Sequence, residues 1–237
     1  MSLSPAQRHS ARIAAQTKLK QRQALEGAES LHVLSAALAN DVDMLHGLTL
    51  AQKVALKRDE LLPKWMPTVE KYLNGGEVYR NPILAWCVIW LFDVGDMDAA
   101  LNLADIAIEQ GQETPPELKS NFPTFVADTV LKWAEVQARE GHPIEPYFSR
   151  TFTDVAEKWE LYEVIQAKWF KFAGMRQLFD EHGVPRATAT EDVELLQSVD
   201  ALLARAEKLH SQCGVGTMRK QIAARVRYLE KQSGAKK

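Results

Sequence analysis

Only two cysteines, Cys87 and Cys213, occur in the chain. They lie far apart and match neither a disulfide framework nor a zinc spacing, so both read as reduced structural thiols. No apolar run is long enough to cross a bilayer. The longest, Ile83 to Phe92, has ten residues where a spanning helix needs roughly 20, and reads as a buried helix. No apolar segment follows the first charges, so a secretory signal is not expected and the protein is expected in the cytoplasm, away from membranes. A glycine-rich phosphate loop is missing, which speaks against P-loop ATP hydrolysis. The six histidines, His9, His32, His46, His142, His182 and His210, show no ligand spacing and read as helix ends and turns. Alternating strand patterns are missing too. Apolar residues recur with a helical period almost throughout, so the fold class is all-α.

What the chain does have is segregated charge. Residues 1–25 carry Arg8, Arg12, Lys18, Lys20 and Arg22 with no acid. From Thr217 onward, Arg219, Lys220, Arg225, Arg227, Lys231, Lys236 and Lys237 face only Glu230. The formal net charge of −2 therefore conceals ends of +5 and +6 around a body, 26–216, of −13. Two basic ends on an acidic body read either as a grip on a polyanion, with protein contacts in the middle, or as a device for solubility.

The periodicity divides the chain into 1–74, 77–183 and 187–237. Pro5 suits the first turn of a helix to about Leu25, on which Arg8, Arg12, Lys18 and Arg22 share one arc. Leu31, Leu34, Leu38, Val42, Leu45 and Leu48 form a seam of the kind used for self-association, either as two helices broken at Gly47 or as one. The basic turn Lys53, Lys57, Arg58 adds to the candidate DNA-binding set, and Leu61-Leu62-Pro63 starts a further helix ending before Asn74-Gly75-Gly76. Helices are expected at about 124–140, 150–159 and 161–182, with Thr188 and Glu191 as a capping box for the next. On the last helix, Met218, Ile222, Val226 and Leu229 face inward while Lys220, Arg227 and Lys231 lie nearly opposite, with Arg219 nearby. The stretches 82–111 and 191–232 are helical hairpins of tetratricopeptide-like proportions without that repeat's aromatic signature.

Little here carries catalysis. Asp93, Asp96 and Asp98 are the densest acids. They read as a divalent-metal site or, better, as a helix start, with Asp96 as cap and Asp98 in the first turn. No catalytic residue, metal ligand or cofactor is assigned, and Mg²⁺ enters only if the chain is itself a nuclease. Trp65, Trp86, Trp90, Trp133, Trp159 and Trp169 lie on amphipathic helices and read as core residues ahead of base-stacking platforms, Trp65 being nearest the basic turn.

Several stretches together resemble the small terminase subunit of temperate tailed phages of the P-two type, also called the terminase endonuclease subunit. They are Ser4-Pro5-Ala6-Gln7-Arg8-His9, the run Lys57-Arg58-Asp59-Glu60-Leu61-Leu62-Pro63-Lys64-Trp65, and Asp93-Val94-Gly95-Asp96 followed by Ala99-Ala100-Leu101. Weaker similarities lie at Phe122-Pro123-Thr124-Phe125 and Cys213-Gly214-Val215. The resemblance implies recognition of the cohesive-end site on double-stranded phage DNA, homo-oligomers that are often rings, and recruitment of the large subunit with its ATPase motor. Members often end in a longer lysine- and proline-rich tail, so a smaller tail contribution to non-specific affinity is expected. Cutting is expected to be directed by this subunit and executed by its partner. Two alternatives stay open: an intrinsic metal-dependent endonuclease, and a cytosolic helical adaptor that does not bind DNA.

Overall fold

A computed structural model describes residues 13, 16–18 and 30–234 of the chain. The protein is all-α: apart from an isolated antiparallel bridge between Phe179 and Pro185, its regular elements among the described residues are helical. Two compact units divide it, Met1–Val94 and Gly95–Lys237.

The first unit begins, as described, with α1 (30–43). Gly47, at φ +80°, turns the chain in a conformation that L side chains resist. Thr49 then caps α2 (Leu50–Leu56) in a reciprocal box with Gln52. Instead of stopping before Pro63, the helix runs through a π segment, Lys57–Leu61, into α3 (Leu62–Gly75). The Leu62 N–H bonds to the Lys57 carbonyl, five residues back. The wider turn takes in Pro63, whose ring in a regular helix would press on the preceding turn. On α3, Leu62, Trp65, Val69 and Tyr72 form one buried stripe.

Asp41 fastens α1 to α3. It is buried, receives the Lys64 ammonium on both oxygens at 2.9 and 2.6 Å, and accepts from the Trp65 indole N–H at 2.7 Å. Leu31 and Leu34 line a hollow with Thr68 and Tyr72, so the two helices run antiparallel. Asn81 accepts from the N–H groups of Ile83 and Leu84 and starts α4 (Pro82–Val94). Nine of the thirteen α4 residues are buried, and the helix packs on α2, the π segment and α3. Cys87 lies within it, and burial pushes its thiol up to about 12.

The second unit holds α5 (Met97–Glu109), α6 (Phe122–Arg139), α7 (Tyr147–Glu157), α8 (Glu163–Met175), α9 (Val193–Leu209) and α10 (Gly216–Gly234). Asp96 caps α5 through the Ala99 N–H, as its sequence position implies. Asn121 caps α6, so that helix starts two residues before the expected boundary. Phe148 stacks on Trp169 at 5.2 Å and meets Phe172 edge-on, which joins α7 to α8.

Two expectations are corrected in this unit. The helix expected to reach 182 stops at Met175 with one further 3₁₀ turn, because the Asp180 carboxylate accepts from the N–H groups of His182 and Val184 and folds the chain back. Asp192, not Thr188, caps α9, while Thr188 sits in a short 3₁₀ turn, Ala187–Ala189. The heaviest packing of the unit is α9 along α8. A Cβ on Gly174 would stand 3.0 Å from Leu203 Cδ2, so a larger residue here would press on the Leu203 side chain. The α9–α10 hairpin is therefore part of this unit.

Candidate nucleic-acid interface

The cations named from the sequence fall into different situations. Arg8, Arg12, Lys20 and Arg22 lie outside the described residues, and Lys18 is helical and exposed. Lys57 donates to Asp93 at 2.6 Å with its side chain 12% exposed, so it holds the π segment to α4. Lys53 is half-buried, and Arg58 is exposed but followed directly by exposed Asp59 and Glu60. The basic turn therefore presents no net positive surface.

The C-terminal helix is different. Its apolar side, Met218, Ile222, Val226 and Leu229, packs with Leu196, Val199, Leu203 and Val215. Arg219 lies beside that seam and clamps α10 to α9. It gives Asp200 two bonds, at 2.8 and 3.1 Å, and Glu207 one at 2.5 Å. These bonds hold the guanidinium above its ordinary pKa, Asp200 contributing most. Asp200 and Glu207 are two helical turns apart, on the side of α9 that faces α10, and that spacing was the available sequence signal for the clamp. Arg225, half-buried, donates to the Thr190 carbonyl at 2.9 Å and lies 5.4 Å from the Tyr228 ring.

With those two arginines committed, Lys220, Arg227 and Lys231 remain exposed. None of the three forms an ion pair among the described residues. They stand seven and four residues apart, on one line of the helix. Thr217, Ala223 and Ala224, also exposed, complete the face, and periodicity alone had not singled these three out. Tyr228 borders it, its hydroxyl accepting from Gln232 at 2.6 Å.

The acidic trio is committed elsewhere. Asp93 pairs with Lys57, Asp96 caps α5, and Asp98 accepts from the Tyr147 hydroxyl at 2.8 Å. Among the described residues, no group of three or more His, Cys, Asp or Glu is placed to hold a metal ion. No helix there is long and apolar enough to cross a membrane.

The seam at 31–48 is largely internal. Leu38 and Leu45 are buried, and Leu31, Leu34, Val42 and Leu48 are half-buried. The large apolar side chains that this segment exposes are Val33 at 67% and Met44 at 52%, with Leu50 at 80% just beyond.

Residues 35–164 match the family model of the phage small terminase subunit. The chain belongs to that family. It is 41% identical over 200 residues to a probable terminase, endonuclease subunit, of Haemophilus phage HP1, covering 84% of this chain and 71% of the relative. It is 28% identical over 213 residues to the terminase, endonuclease subunit, of Escherichia phage P2, covering 90% and 81%. No solved structure matches. Membership gives the protein a part in phage DNA packaging. The family-like run Lys57–Trp65 proves to be a structural node: Leu61, Leu62 and Trp65 are buried, and Lys57 and Lys64 are ion-paired.

Proposed function

We propose that this small terminase subunit binds double-stranded phage DNA at the cohesive-end site, self-associates, and brings the large ATPase subunit to that place. The observation that carries the reading is the exposed cation face of α10 on a chain of this family. The basic N-terminal segment adds phosphate contacts, and the acidic body, which duplex DNA repels, is left for protein partners. Self-association is assigned to the exposed Val33, Met44 and Leu50, because Leu38 and Leu45 are buried.

Light scattering of the full chain with and without a cohesive-end duplex tests the reading. A defined multimer that prefers this duplex over a shuffled one supports it. A monomer indifferent to DNA returns the chain to the adaptor alternative. Val33→Asp with Met44→Asp should lower the mass while helical circular dichroism is kept.

The names of the two relatives favour a second reading, intrinsic cleavage. On the first reading, purified protein leaves the duplex intact in Mg²⁺ and sharpens cutting when the large subunit is added. Site-specific cutting by this chain alone, lost on changing Asp93, Asp96 and Asp98 to asparagine, would establish the second.

A further inference from the structure

The two cation types on α10 have different jobs, and the geometry separates them. Arg219 and Arg225 fix the rotation of the helix, one against α9 and the other against the Thr190 carbonyl. The outward face is thereby set as Thr217, Lys220, Ala223, Ala224, Arg227 and Lys231, all exposed. The three cations run along its middle, and Ala223 and Ala224 stand on either side of them, Ala223 and Arg227 beside Asp200 of α9. The one acid on the helix, Glu230, lies about 80° away from the Lys220 line.

A helix with side chains is roughly 10–12 Å across, and the major groove of B-DNA is roughly 12 Å wide. The two alanines beside the cation line let the backbone approach the base edges. Lys220 and Lys231 are about 16 Å apart along the axis, a span that reaches the phosphate rows flanking the groove. Arg227 stands between them. Its Nε donates to the Ala223 carbonyl at 3.1 Å, which leaves the two Nη groups free as a fork, the donor pair that fits O6 and N7 of guanine.

We propose that α10 enters the major groove of duplex DNA through this face, with Lys220 and Lys231 on phosphates and Arg227 on a guanine edge. The proposal rests on the packaging-site reading and adds how the site is read. An acidic protein partner, the other polyanion such a face could meet, would need no fork and no groove.

The test uses the full chain, a fluorescent duplex carrying the cohesive-end site and a shuffled duplex, titrated across salt concentrations. Lys220→Gln with Lys231→Gln should weaken both duplexes alike and make the slope of log K against log salt shallower by about 2 per subunit engaged. Arg227→Lys keeps the charge and loses the fork. It should hold the salt slope and lower the preference for the cohesive-end duplex roughly tenfold. Methylating guanine N7 should weaken the wild type and leave Arg227→Ala much less affected. Circular dichroism melts serve as the folding control. An unchanged preference in Arg227→Lys, indifference to N7 methylation, or a wild-type slope in the double lysine variant overturns the groove assignment while the packaging-site reading stands. If the wild type binds neither duplex, both fall.

Discussion

The segment 57–64 and helix α10 are comparably rich in cations, yet the fold uses them in opposite ways. In the first, Lys57 is closed onto Asp93 and Lys64 onto Asp41, and Arg58 is offset by its acidic neighbours. In the second, Arg219 and Arg225 hold the helix, and Lys220, Arg227 and Lys231 are left to solvent. The difference lies in the partners. Asp93 and Asp41 come from other helices and reach Lys57 and Lys64, whereas the outer line of α10 forms no ion pair among the described residues. Cation count along a sequence therefore measures possible charge, and tertiary partners decide how much of it faces a ligand.

That contrast can be broken or sharpened by substitution. The largest effect is expected from Asp41→Ala. Removing a buried carboxylate that receives Lys64 and the Trp65 indole should cost about 2–4 kcal/mol, seen in urea unfolding with a shift in tryptophan emission. The DNA affinity of the folded fraction should stay the same. Arg219→Met should cost about 1 kcal/mol, its three groups being only partly buried, and should also weaken DNA binding because the outward face loses its orientation. Lys57→Gln should cost about 0.5 kcal/mol and leave the salt dependence of DNA binding untouched. A fall in that slope as large as the one expected for Lys220→Gln with Lys231→Gln would erase the contrast between the two regions.

The smallest effect concerns pH. Burial pushes the Glu145 carboxyl up, but bonds from Ser149 and Arg176 outweigh it and hold the group below its ordinary range. A carboxylate lowered on folding stabilises the native state above its unfolded pKa and loses that contribution as pH falls through the folded value. Native stability should therefore drop by a few tenths of a kcal/mol from this group on going below about pH 4. Glu145→Gln should flatten that part of the profile, as followed by urea midpoints at several pH values.

Much of the helical framework was legible. The period of Leu62, Trp65, Val69 and Tyr72 marks an interior face, the uninterrupted run in α4 marks burial on all sides, and Asp96 beside Gly95 marks a helix start. The corrections come from interactions that periodicity does not encode. Asp180 diverts the end of α8 by binding backbone N–H groups two and four residues on. Asp192 competes with Thr188 for the start of α9 and wins, because the residues between them leave the helix. The leucine seam was visible as a stripe, but a stripe does not say whether its partner is α3 or another molecule. For the candidate interface, the basic line of α10 could be drawn from spacing alone. Subtracting Arg219 and Lys57 from the free cations required knowing where Asp200, Glu207 and Asp93 sit.

The π segment at Lys57–Leu61 also sets a phase. A helix advances about 100° per residue, so a residue inserted into a regular turn would rotate everything after it by that angle. The π turn, closed from Leu62 to Lys57 five residues back, takes up one residue within a wider loop of backbone. Lys64 and Trp65 thereby stay on Asp41, and Leu62, Trp65, Val69 and Tyr72 stay on the buried side. In this stretch the backbone stores a spare residue, and a single-codon deletion within it would leave a regular turn with α3 still facing inward.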